Sequence, residues 1–151
     1  MSETSLEGRT GAPFAMVVEQ GKIREFARAV RAEHPAYFGE DPVCPPTFLA
    51  SSAFWTDDAS SPLPPDALDL SRVLHAGQRY VFHGPPPRAG TRLTGQQRVE
   101  RTYVKQGRRG GTLRFTDVVT DFRDADGVLV AQAWSTLVVT EVAATEPGVQ
   151  Q

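Results

Sequence analysis

The stretch that most constrains this chain runs from Pro45 to Asp57, Pro-Pro-Thr-Phe-Leu-Ala-Ser-Ser-Ala-Phe-Trp-Thr-Asp. Adjacent prolines suit the start of a helix, where the first N–H groups have no internal acceptor to lose. Behind them Phe48, Leu49, Ala50, Ala53, Phe54 and Trp55 point nearly all round a helical wheel. A helix that is apolar on most faces belongs inside a domain, so the rest of the chain is expected to wrap it.

The remainder supplies that wrapping. Phe14 to Val18 is a short apolar run that suits a first strand. Glu19 to Arg31 carries Ile23, Phe26, Ala27 and Val30 at spacings of three and four, an amphipathic helix that Pro35 closes. From Arg72 onward the pattern is β. Gln78 to His83 puts Tyr80 and Phe82 on one face, and Thr91 to Lys105 has Leu93, Val99 and Tyr103 at even separations opposite a polar face. Thr112 to Phe122 follows, and Val128 to Val139 is apolar on both faces, Trp134 included, as in a central or interface strand. Pro85 to Gly90, Gly107 to Gly111 and Asp124-Ala125-Asp126-Gly127 mark the turns. The expected fold class is therefore α+β, a single hot-dog domain with an antiparallel sheet wrapped around a buried central helix. Residues 1–13 read as a flexible lead, 14–141 as the domain and 142–151 as a disordered tail. Residues 58–69, with three prolines and two serines, read as a surface loop long enough to be a lid or a partner contact. A sheet wrapped on one helix leaves its outer face and an edge strand open, which favours a dimer.

Composition narrows the function classes. A chain of 151 residues fits one domain. Acidic and basic residues nearly balance, 18 against 16, so no global field draws nucleic acid or an anionic membrane. The lone Cys44 excludes an internal disulfide and a cysteine-based zinc site. With no apolar run of membrane-spanning length and no signal-peptide order at the N-terminus, a cytoplasmic protein is expected. Lys105, Arg108 and Arg109 lie beside three glycines and read as a solvated hairpin tip, with phosphate binding toward a coenzyme A tail as the alternative.

Ser71-Arg72-Val73-Leu74-His75-Ala76-Gly77-Gln78-Arg79-Tyr80, followed by Pro87-Arg88-Ala89-Gly90, resembles the MaoC-like (R)-specific hydratases and dehydratases. Within them it is similar to the N-terminal, FAS1-like dehydratase branch. Gly21 to Ala27, Pro45 to Phe48 and Ala133 to Val138 agree with that branch in order and spacing, so the resemblance covers residues 14–140. It implies addition or loss of water across the double bond of an (R)-3-hydroxyacyl or enoyl thioester, carried on coenzyme A or an acyl carrier protein. No cofactor and no metal are expected. It also implies a hot-dog partner, since the branch includes actinobacterial subunits that pair with a second such chain.

The resemblance locates the chemistry and then departs from it. Catalytic members place their acid and base in a run Asp-x-Asn-Pro-x-His after the first helix, and the matching run here is Ala32-Glu33-His34-Pro35-Ala36-Tyr37. Ala32 has no proton to move, and the phenol of Tyr37 replaces the imidazole that serves as base. The oxyanion donor of the family is a backbone N–H in Ala-His-Gly-Met. Here that run is Cys44-Pro45-Pro46-Thr47, and Pro46 has no N–H. The connector from Tyr37 to Pro45 is also shorter than the family's.

Three substitutes stand as catalytic candidates, His75, Tyr37 and Glu33. His75 reads first as a buried, hydrogen-bonded structural histidine, and Glu33 with His34 first as a solvated connector. His83 reads as an exposed strand end. Asp117 and Asp121 are expected to point outward without chemistry. The expected substrate-binding residues are Cys44, Thr47, Phe48, Phe54 and Trp55, which with the 58–69 loop would shape an apolar channel, simple core being the alternative. His34, His75 and His83 share no metal-ligand spacing. Three functions follow: a subunit that depends on a catalytic partner, a homodimeric lyase using His75, Tyr37 and Glu33, or an acyl-binding protein without chemistry.

Overall fold

The computed structural model describes residues 5–69, 71–108 and 110–141. Its regular elements are β1 (Phe14–Val17), α1 (Gln20–Ala29), β2 (Val73–Phe82), β3 (Arg92–Gln106), β4 (Thr112–Arg123) and β5 (Leu129–Glu141). The strands form one antiparallel sheet in the order β1-β3-β4-β5-β2. Three 3-10 segments, Pro35–Tyr37, Phe48–Trp55 and Asp58–Ser60, fill the connection from α1 to β2. The architecture is the α+β hot dog expected from the sequence, and β5 lies inside the sheet between β4 and β2.

Alternation assigns the two faces of the sheet. Phe122 pairs with Gly95 and Ala131, and Ala133 with Tyr80, so these residues share one face. That inner face meets Phe14, Met16, Ile23, Phe48 and Leu49 in a single core. Gly95 is required there, because a Cβ would fall 2.2 Å from the Phe14 ring.

The even spacing of Leu93, Val99 and Tyr103 does not keep them on one face. A bulge between Val99 and Arg101 shifts the register. Leu93 and Val99 stay inside, while Tyr103 turns outward to stack on Phe115 at 4.9 Å.

The central segment departs from the expected helix in geometry. It is 3-10, with three residues per turn, so its side chains fall into three stripes. Phe48, Leu49, Ser51 and Ser52 face inward, whereas Thr47, Ala50 and Ala53 are exposed. Trp55 is half-buried against the core, and Phe54, at the last turn, is 79% exposed.

The lead is tied down over residues 5–13. Gly8 donates to the Val99 carbonyl and Gly11 to that of Gln97, so the chain runs along β3 before β1 begins. Gly11 lies so near the 58–61 turn that a Cβ would meet the Ser60 carbonyl oxygen at 2.0 Å. Ala12 N–H then donates to the Ala59 carbonyl at 2.8 Å, which fixes the start of the long loop. The tail 142–151 and Arg109 lie outside the described residues. Among the described residues no helix is long and apolar enough to cross a membrane.

Candidate functional site

The connector after α1 is built by local caps. Arg31 takes a positive φ of 56° and ends the helix, and Ala32 N–H returns to the Ala27 carbonyl at 2.8 Å. His34 then caps the Pro35–Tyr37 turn, its Nδ1 accepting from Ala36 N–H at 3.1 Å. A neutral His34 in this role carries its proton on Nε2. The Tyr37 ring lies 5.8 Å from that of His34 and packs against the core. Glu33 is exposed and makes no ion pair among the described residues.

The Pro87-Arg88-Ala89-Gly90 motif pins the next stretch. Cys44 N–H donates to the Pro87 carbonyl at 2.9 Å, Ala89 N–H to that of Pro42 at 3.0 Å, and Gly90 N–H to that of Val18 at 2.7 Å. Arg88 reaches across to the Asp41 carbonyl and carboxylate at 2.9 and 3.2 Å. These bonds hold the opening of the central segment against the sheet. Cys44 is buried there, and burial pushes its thiol up to about 12, so it stays protonated and a weak nucleophile. Phe48 N–H is taken by the Pro45 carbonyl at 3.0 Å. Thr47 N–H has no backbone acceptor among the described residues.

His75 lies elsewhere, on the edge strand β2. It is exposed, not buried. Its Nε2 is 3.0 Å from Gln78 Oε1 and 3.1 Å from Ser135 Oγ. The register pairs His75 with Leu137 and Gln78 with Ser135, all on the inner face of the sheet. Leu137 also floors an apolar cavity of about 340 Å³ beneath the long loop, walled by Leu63, Pro64, Pro65 and Leu68. Among the described residues His75 forms no hydrogen bond with Glu33, His34 or Tyr37, and its partners are Gln78 and Ser135 instead. Gln78 and Ser135 hold the His75 ring, and the sequence pattern does not name them. Their signal was the pairing of β2 with β5, which no local pattern displays.

The expected substrate-binding residues divide. Phe48 and Cys44 are buried core, Trp55 packs on it, and Thr47 is exposed. Phe54 lies under Lys22, whose Nζ is 5.3 Å from the ring centroid. Together they edge a second cavity, about 290 Å³, between α1 and the central segment. Asp117 and Asp121 point to the outer face as expected, yet Asp117 is only 6% exposed. Among the described residues no three His, Cys, Asp or Glu side chains gather to hold a metal ion.

Comparison with known proteins agrees with this architecture. The family model described as "FAS1-like, dehydratase domain region" matches residues 5–133. A UPF0336 protein of Streptomyces griseus subsp. griseus is 35% identical over 146 residues, covering 90% of this chain and 93% of its own. Among solved structures, a chain of the C-terminally truncated HadBC (3R-hydroxyacyl-ACP dehydratase) complex from Mycobacterium tuberculosis superposes with a TM-score of 0.72. It is 27% identical, with 91% of this chain and 99% of that one covered. A chain of the ChsH1-ChsH2 complex from the same organism shares the fold, with a TM-score of 0.63 at 18% identity over 93% of this chain and 89% of that one. With the hot-dog sheet and these matches together, the chain belongs to the family of FAS1-like dehydratase domains.

Proposed function

We propose that this protein is the acyl-thioester-binding subunit of an (R)-3-hydroxyacyl or enoyl thioester dehydratase-hydratase, and that a partner hot-dog chain supplies the acid and base. The observation that carries the reading is the replacement of all three usual groups, Ala32 for the Asp, Tyr37 for the His and Pro46 for the oxyanion N–H. Water chemistry at the β-carbon needs a group that takes a proton and one that returns it. Neither Ala32 nor Tyr37 fills the base role, while the apolar cavity under residues 58–69 keeps a place for an acyl chain. The likeness to a chain of a 3R-hydroxyacyl-ACP dehydratase complex supports both the substrate class and the need for a partner.

The test is hydration of short and long enoyl thioesters, on coenzyme A and on acyl carrier protein, by the purified chain. The expected result is no turnover alone and turnover once a hot-dog chain bearing an intact Asp-x-Asn-Pro-x-His run is added. Turnover by the chain alone would overturn the reading. It would favour a self-sufficient lyase, for which one observation speaks: an exposed imidazole held by Gln78 and Ser135 beside an apolar cavity. In that case His75→Ala would abolish the activity of a folded protein.

A further inference from the structure

The outer face of the sheet, opposite the core, carries a cavity of about 540 Å³ that the reading above does not use. Its origin is a missing side chain. Gly77 follows the β2 bulge and pairs with Thr136, so the edge strand contributes no side chain to that row. Arg79, two residues on and on the same face, lies over the Trp134 ring at 4.7 Å. Across the cavity Arg101 lies over Tyr103 at 4.7 Å.

An account of donors and acceptors shows what the cavity lacks. Asp117 accepts from Thr136 Oγ1 at 2.7 Å through one oxygen and from Arg101 Nε at 2.5 Å through the other. Glu100, the second carboxylate in the wall, is paired with Arg98. Both acids are therefore engaged. The donors are not. Arg79 makes no ion pair among the described residues, Arg101 has spent only Nε, and the buried Trp134 Nε1 has no acceptor. Guanidiniums held over aromatic rings keep donors available, which suits bidentate recognition of a planar or tetrahedral oxyanion.

We propose that this cavity is a second ligand site, separate from the acyl groove, which binds a carboxylate or phosphate group between Arg79 and Arg101. Asp117 does not compete for the anion, because Thr136 and Arg101 already occupy its two oxygens. Its part is to hold Arg101 in place. Gly77 provides the room.

The full chain would be titrated with inorganic phosphate and, separately, acetate at constant ionic strength, reading tryptophan fluorescence. The chain has two tryptophans, so a Trp55→Phe background leaves Trp134 as the reporter. A saturable change is expected with at least one anion, weakened about tenfold or more in Arg79→Gln and Arg101→Gln, since each removes one charged pair of donors. Gly77→Leu should abolish it without altering charge. A Cβ at Gly77 meets only Thr136, at 3.8 Å, so the strand itself has room for the change. Saturation by phosphate alone identifies a phosphoryl ligand, by acetate alone a carboxylate, and either upholds the site. A response that does not saturate with either anion overturns it. So does binding that survives unchanged in both arginine variants, an arm that stands even where circular dichroism shows Gly77→Leu unfolded.

Discussion

Along β4 and β5 consecutive residues build two different interiors. Inward, Phe122 and Ala131 are wholly buried because other elements cover them; the Phe14 ring meets Phe122 edge-on at 6.4 Å. Outward, Val119 is just as completely buried, yet it lies outside the core cluster. The outer face covers itself. Arg79 lies on Trp134, Arg101 on Tyr103, and Tyr103 on Phe115, so stems and rings of the sheet's own side chains shield the residues beneath them while the cavity between them stays open. One interior is sealed by packing and holds apolar groups. The other is only partly covered, by cations lying over rings, and holds a carboxylate. The difference bears on function: the inner side offers apolar cavities beside the loop and α1, and the outer side offers a cavity with surplus donors.

Stability measurements can break this contrast. Phe122→Ala removes a fully buried ring from a core that other elements close, and should cost about 3–5 kcal/mol in chemical denaturation. Asp117→Ala on the opposite face should cost less, about 1–3 kcal/mol, because Thr136 loses its acceptor and the cavity can admit water. Arg101, whose side chain is largely exposed, should lose little on its own account. An Asp117→Ala effect as large as that of Phe122→Ala would mean that the outer face is a second core and not a solvated site.

How far the sequence foretold this arrangement depends on whether the signal was local. The span of α1, the four strands after residue 70 and the Asp124–Gly127 hairpin follow from periodicity and turn residues. Asp124 Oδ1 indeed accepts from both Asp126 and Val128 N–H at 2.9 Å, and Gly127 takes a φ of 79°. The central segment misled because a wheel drawn at α-helical pitch distributes its residues differently from one with three per turn. At the tighter pitch the stripe of Thr47, Ala50 and Ala53 turns outward and the paired Ser51 and Ser52 turn in. The bulge at Val99 was hidden for a related reason: one inserted residue reverses every later side chain without leaving a mark in an alternating pattern. The His75–Gln78–Ser135 group joins residues 60 apart, and only the β2–β5 register brings them together.

Two glycines on opposite faces sharpen the comparison at its smallest scale. Gly95 on β3 faces inward, and a methyl there would fall 2.2–2.7 Å from the Phe14 ring. The ring cannot move freely, since its edge is set against Phe122, so Gly95→Ala should overpack the core and cost about 1–3 kcal/mol. Gly77 on β2 faces outward, with Thr136 at 3.8 Å as its nearest neighbour and no positive φ to protect. Gly77→Ala should shift stability by no more than about 0.5 kcal/mol, and toward a more stable strand, because the unfolded chain loses freedom while the folded one loses nothing. The same methyl thus reports on two different fillings. Equal costs at both positions would show that the outer cavity is closed by side chains, leaving no room for a ligand between Arg79 and Arg101.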